Sequence, residues 1–260
     1  MKQLPLVGTS GFGVGIAKYF DLFSCVEVQH TFYQPPKIST LEKWRAAAPT
    51  DFEFVIKAWQ LITHEAKSPT HRRLKRELSE KEKSQAGSFK SSVVVRDAWH
   101  TTLAAATALQ ARTILFQCPA SFKQTRKNIS NLKKFFQTVE RKNDRGEPFN
   151  FCWEPRGDWD REVVTELCEA LDLCHVVDPF VNRTCTPERT YFRLHGRNGW
   201  RYDYEDHELR ELVEMLGQLP NSKRRSDKTN PDRHTAYVFF NNARMTENAS
   251  SFQALIKGNR

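Results

Sequence analysis

Eight short apolar segments, each followed by a stretch with helical spacing, constrain this chain more than any other feature of it. They are Leu4–Thr9, Cys25–His30, Phe52–Ala58, Thr113–Gln117, Phe149–Glu154, Cys174–Asp178, Thr190–His195 and Ala236–Asn241. Several helix starts between them are legible. Ser39-Thr40-Leu41-Glu42 has the form of a capping box, Asp97 precedes Ala98–Leu109, and Asp160 precedes Val163–Leu171. Thr125–Glu140, Tyr204–Leu216 and Thr246–Ile256 also carry helical spacing. Strands alternating with helices imply a parallel sheet with right-handed crossovers. Eight such units in one chain predict a TIM-type (β/α)8 barrel over an open doubly wound sheet, as a single domain over residues 1–260.

Two stretches break the rhythm. Thr63–Arg96, an insertion between the third and fourth strands, is rich in Lys, Arg and Ser and is expected over the C-terminal face. Pro220–His234 is also basic, but it follows a helix and is expected at the opposite end or on the rim. The formal charge of +9 and pI of about 9.3 fit attraction to a polyanion, most often nucleic acid. Solvated Lys-rich faces would give the same charge without any partner. The six cysteines form no CxxC pair, which predicts reduced, buried thiols in a cytosolic protein, not a disulfide framework or a zinc site. No signal peptide opens the chain and no apolar run reaches the length of a membrane span, so a soluble, cytoplasmic protein is expected.

In a barrel of this type the reactive residues stand where strands finish. Those positions hold Thr9 and Ser10; Glu27, Gln29 and Thr31; Lys57; Gln117; Glu154 and Arg156; Asp178; Arg193 and His195; and Asn241 and Asn242. Every strand ends in polar residues. Glu27 and Gln29 alternate with valines along an expected strand and would share one face, which Thr31 joins if the strand continues. An inward carboxylate there requires a partner.

The same strand ends resemble the YecE-like family of uncharacterised TIM barrels. The resemblance runs through Gly8-Thr9-Ser10-Gly11, Val26-Glu27 with Thr31-Phe32-Tyr33, and Phe54-Val55-Ile56-Lys57-Ala58. It continues through Leu115-Phe116-Gln117, Tyr191-Phe192-Arg193-Leu194-His195-Gly196 and Tyr237-Val238-Phe239-Phe240-Asn241-Asn242. Trp153-Glu154-Pro155-Arg156-Gly157-Asp158-Trp159 and Gly87-Ser88-Phe89-Lys90 look like an archaeal branch of it. Phe12 stands where that family usually has Trp, and Gln29-His30 replaces an Asn-Ser pair. The resemblance implies the fold and little about the reaction.

Read by chemistry, Glu27 and Glu154 can divide acid and base work. Glu27 can equally be half of a salt bridge to Lys57, Arg156 or Arg193. Lys57, at the end of an apolar strand, can form a Schiff base with a sugar aldehyde or serve as a counter-ion. Arg156, Arg193 and His195 can bind a phosphate and protonate a leaving group. Asp178 completes the catalytic candidates. Thr9, Ser10, Gln29, Thr31, Tyr33, Gln117, Trp159, Asn241 and Asn242 complete the candidate substrate contacts.

Glu27, Glu154, Asp178, His195, His30 and His64 are the residues that would hold a divalent metal, but no HxH or HxxxH pair is present, so no cofactor is expected. Four functions follow from these readings. The first is a nucleic-acid enzyme, a DNA repair glycosylase or abasic-site lyase using Lys57 and carboxylates. The others are a metal-dependent abasic-site or phosphodiester endonuclease, a sugar-phosphate isomerase or aldolase-like enzyme, and a non-catalytic nucleic-acid binder.

Overall fold

The structure, a computed structural model, describes residues 4–219 and 235–258. The basic stretch Pro220–His234 lies outside the described residues. Eight strands form one sheet in the order β1-β8-β7-β6-β5-β4-β3-β2, the architecture of a TIM-type (β/α)8 barrel. They are β1 Leu6–Thr9, β2 Cys25–Val28, β3 Glu53–Lys57, β4 Thr113–Gln117, β5 Asn150–Glu154, β6 Cys174–Val177, β7 Tyr191–Leu194 and β8 Tyr237–Phe240. Neighbouring pairs run parallel, with Lys57 beside Leu115, Gln117 beside Glu154 and Arg193 beside Phe239. Their Val, Ile and Phe runs are buried throughout, as strands enclosed on both faces must be.

The helices are α1 Ile16–Leu22, α2 His30–Tyr33, α3 Ile38–Ala47, α4 Gln60–Thr63, α5 Glu80–Gln85 and α6 Val93–Leu109. They continue with α7 Arg126–Thr138, α8 Arg161–Leu171, α9 Asp206–Gln218 and α10 Met245–Gly258. None of the described helices is long and apolar enough to cross a membrane.

Several expected boundaries move. The second strand stops at Val28, because Gln29 is already in helical geometry and His30–Tyr33 forms a turn of helix. Gln29 and Thr31 therefore do not continue the face of Glu27. The long helix starts at Val93, four residues before Asp97, because the Ser92 hydroxyl accepts the Val95 N–H and caps it. Ser39 lies inside α3, which begins at Ile38. No helix intervenes between β6 and β7. The connection Asp178–Thr190 is an ordered loop, held by Thr184 and Thr186 on the backbone of His175. Thr63–Arg96 is not a plain loop either: it contains α5, a 3-10 turn over Pro69–Arg73 and the start of α6.

The chain divides into two compact units. One comprises Met1–Glu27, Ala48–Glu53 and Cys174–Arg260, and in it Tyr19, Phe23 and Phe52 pack under β1, while Tyr191, Tyr237 and Phe239 line β7 and β8. Gly8 permits the β1 backbone to approach β2, since a Cβ there would meet the Cys25 carbonyl oxygen at 2.4 Å. The other comprises Val28–Ala47 and Phe54–Leu173, with Phe89, Trp99, Phe116, Phe135, Phe136 and Phe151 as its aromatic core. Five of the six cysteines are buried, and all six are free thiols.

Candidate functional site

In the first unit Glu27 is the hub. Its Oε2 accepts the Arg193 Nε–H at 2.8 Å and the Tyr191 hydroxyl at 2.6 Å. Its Oε1 accepts the Arg193 Nη2–H at 2.8 Å and the Ser10 hydroxyl at 3.0 Å. Arg193 and Glu27 are both 0 % exposed. This is the fork-to-fork geometry that makes arginine–carboxylate pairs strong, with neutral hydroxyls filling the remaining lone pairs. Among the partners the sequence allowed for Glu27, Arg193 is the one seen here. Arg193 is buried with its Nε and Nη2 both on Glu27, so two of its three guanidinium nitrogens hold the carboxylate.

Arg193 also approaches His195. Its Nη1 lies 3.4 Å from the His195 Nε2. A guanidinium can only donate, so in this contact Nε2 is the acceptor. The Asn241 side-chain amide nitrogen, Nδ2, stands 3.0 Å from the other ring nitrogen, Nδ1. The His195 N–H donates to Asp178 Oδ2 at 2.9 Å, while Asp178 Oδ1 accepts from Phe180 N–H in an Asx-turn. Asp178 therefore positions the β7 end. His195, Asp178 and Asn241 are half-buried, whereas Glu27 and Arg193 are buried.

Thr9 is taken up by the scaffold. Its N–H donates to the Tyr19 hydroxyl at 2.9 Å, and that hydroxyl donates to the Cys25 carbonyl at 3.0 Å. Burial, with Cys25 nearby, pushes the Tyr19 phenol up, so the hydroxyl keeps its proton and this bridge. Asn242 donates to the Tyr202 carbonyl and to Asn248 Oδ1, tying the loop after β7 to α10.

In the second unit Lys57 ends β3, is 3 % exposed, and places Nζ 3.8 Å from the centroid of the Phe32 ring. Thr31 explains how Phe32 is held there. Its hydroxyl oxygen lies 2.8 Å from the carbonyls of both Val28 and Lys57 and accepts the Lys57 N–H, so the α2 turn is clamped to the end of β3. The ring of His64 meets Phe32 in a T-shaped contact, with ring centroids 4.9 Å apart. Burial, and then the positive charges of Lys57, His71 and Arg156, hold the His64 pKa at about 3, with Glu154 opposing. The imidazole is neutral across the physiological range, its Nδ1 2.7 Å from the Thr63 hydroxyl.

Glu154 ends β5, buried, with Arg156 Nε 3.8 Å from its Oε1. Gln117 is buried beside it in register. Trp159 is committed to packing: its Nε1–H donates to the Phe122 carbonyl and its ring stacks on Phe122. Tyr33 lies under the Arg73 guanidinium at 4.1 Å, and its carbonyl accepts from Gln60. Gln29 contributes its backbone carbonyl to Phe32 N–H. Among the described residues no group of three or more His, Cys, Asp and Glu side chains is arranged to hold a metal ion.

Sequence reasoning did not assign roles to Tyr191 and Phe32 in these clusters, and it offered His64 only as a metal ligand. Tyr191 was findable, since Tyr191, Arg193 and His195 alternate along one strand face. Phe32 and His64 carry no such signal, because α2 and α4 bring them to Lys57 from short turns.

A family model described as "Protein of unknown function DUF72" matches residues 12–259. A DUF72 family protein from Enterococcus faecalis V583 is similar at 20 % identity and a TM-score of 0.67, over 99 % of this chain and 98 % of that one. One from Thermotoga maritima MSB8 is similar at 21 % identity and a TM-score of 0.64, over 98 % of this chain and 100 % of that one. These likenesses show the shared fold. None of the curated proteins matches this chain.

Proposed function

We propose, for a chain that belongs to the DUF72 family of proteins of unknown function, an enzyme that acts on nucleic acid, DNA first, and opens abasic or damaged nucleotides through the Lys57 amine. One observation carries this reading. Lys57 presents a buried amine on the Phe32 ring, a neutral His64 meets the same ring edge-to-face, and Glu154 acts on His64 electrostatically. Such a setting suits Schiff-base chemistry, in which an amine attacks as the free base.

In the reaction, Lys57 Nζ adds to the C1′ aldehyde of an opened deoxyribose, and the carbinolamine loses water to give an iminium. The iminium acidifies a C2′ proton, which passes to Glu154. The C3′–O bond then breaks with the phosphate as leaving group, and water releases the product from Lys57. Glu27 takes no direct part: it positions Arg193, which in turn orients His195. His195 is the acid/base candidate of the first unit.

Borohydride reduction of the full chain with an abasic oligonucleotide tests this. A covalent adduct is expected, and it should vanish in Lys57→Met, which keeps the apolar stem against Phe32. No adduct in the wild-type protein, or an undiminished one in the variant, overturns the Lys57 chemistry.

One observation favours a second reading, an aldolase-like enzyme for a small sugar phosphate. Several cations of the basic insertion are already paired: Arg76 with Glu82, Lys83 with Glu80, and Lys90 with Glu65. Pairing removes part of the attraction for a polyanion. Oligonucleotide affinity that falls steeply with salt supports the nucleic-acid reading, and its absence supports the small substrate.

A further inference from the structure

Beyond His195 the chain turns through a loop, Gly196 to Tyr204, that leaves Trp200 with 62 % of its surface exposed. The other large apolar side chains at the surface, Leu22, Ile38, Val93 and Val181, are aliphatic. An indole left in water forgoes a large burial gain, so its exposure calls for a use.

The loop that carries it is pinned at many points. Gly199 N–H donates to the Gly196 carbonyl, and Tyr202 N–H donates to the Gly199 carbonyl. The Trp200 carbonyl accepts the Ala243 N–H at 2.6 Å. Asn242 holds the Tyr202 carbonyl at 2.7 Å, and the Tyr204 hydroxyl accepts the Gly196 N–H at 2.9 Å. Gly196 has φ +85°, and a Cβ there would meet the Gly199 oxygen at 2.3 Å, so the turn depends on glycine. The indole is thus presented from a fixed backbone close in sequence to His195 and tied to the end of β8.

Charge distinguishes what it would take. Arg197 is matched by Glu208 and Glu211, and Arg244 lies near Asp203 and Glu247. Arg201 has no carboxylate partner among the described residues, and its guanidinium lies 4.8 Å from the Trp200 ring centroid. A flat aromatic surface beside an unneutralised cation matches an unpaired nucleobase and its phosphate.

We propose that Trp200 is a base-stacking residue: an unpaired base of a single-stranded or locally opened nucleic acid stacks on the indole, and Arg201 meets the adjoining phosphate. The proposal rests on the nucleic-acid reading above and adds the surface that holds the strand. A sugar ring also stacks on indole, but it gives Arg201 no counter-charge.

The test is fluorescence anisotropy of a labelled single-stranded oligonucleotide with the full chain, over a salt series. Trp200→Ala should weaken binding about tenfold without changing the salt slope, because stacking releases no counterions. Trp200→Phe should recover much of that affinity. Arg201→Gln should lower the slope by about one. Both side chains are at the surface, so unchanged thermal unfolding should accompany these effects. If the wild-type protein binds and Trp200→Ala binds equally well, or Phe fails as badly as Ala, the stacking role falls while the nucleic-acid reading stands. If the wild-type protein binds no oligonucleotide, both fall.

Discussion

Arg193 grips both oxygens of the Glu27 carboxylate at 2.8 Å, with neither side chain exposed to solvent. A buried pair of this kind contributes little beyond what a well-packed apolar pair would, but breaking it strands a charge in the interior. Glu27→Gln is therefore expected to destabilise the fold by about 3–5 kcal/mol. Arg193→Gln should do the same, and the double variant should lose much less than the sum of the two. Denaturant unfolding of the four proteins checks this. Additive losses would mean that the two residues do not act as a pair.

His64 makes stability depend on pH. Its pKa is about 3 in the folded chain, against an ordinary value of 6.5, so between those values the unfolded chain binds a proton that the folded chain does not. The contribution is complete above about pH 6.5 and declines as pH falls towards the folded value, by about 1.4 kcal/mol per pH unit. Unfolding free energies between pH 7 and pH 4 should show this slope in the wild-type protein, and His64→Gln should lose it. Equal slopes in both proteins would place the acid sensitivity elsewhere.

The segment Gly87-Ser88-Phe89 is what closes over His64. All three residues have positive φ, at +76°, +54° and +51°, and their N–H groups donate to the carbonyls of Leu61, Thr63 and Ile62. A Cβ on Gly87 would stand 2.3 Å from the His64 carbonyl carbon and the Glu65 nitrogen. Gly87→Ala should cost about 1–3 kcal/mol of stability and shift the His64 ring, which a thermal melt and the histidine NMR signals would both report. An unchanged melt would show that the turn yields easily.

The strands were readable because each is buried on both faces, so Val26, Val28, Val55 and Ile56 stand as β-branched runs. That same preference is overridden at Val93-Val94-Val95, a β-branched run that opens α6 behind the Ser92 cap. Alternation failed at Gln29 and Thr31 for a related reason: a turn of helix begins where the strand period was carried on. Polar strand ends marked Glu27, Lys57, Glu154 and His195 as a set. The choice of Arg193 for Glu27 was not available, since the two are 166 residues apart and three cations were equally open to it. Lys57's aromatic seat was hidden similarly, because Phe32 and His64 come from short turns with no periodic signature.

The insertion between β3 and β4 separates matched from unmatched cations, which gives the nucleic-acid reading its sharpest quantitative consequence. Arg76 and Lys83 already face Glu82 and Glu80, whereas Arg72 and Lys75 are exposed and have no ion-pair partner among the described residues. Only unmatched charges release counterions in proportion when a phosphate backbone binds. Arg72→Gln with Lys75→Gln should therefore flatten the salt dependence of oligonucleotide affinity by about one unit of slope per charge removed. Arg76→Gln with Lys83→Gln, which also frees the partner carboxylates, should leave that slope largely in place. Affinity measured from low to moderate salt distinguishes the two pairs. If both double variants keep the wild-type slope, the insertion does not touch the strand, and its cations serve only to hold α5 and the turn before it.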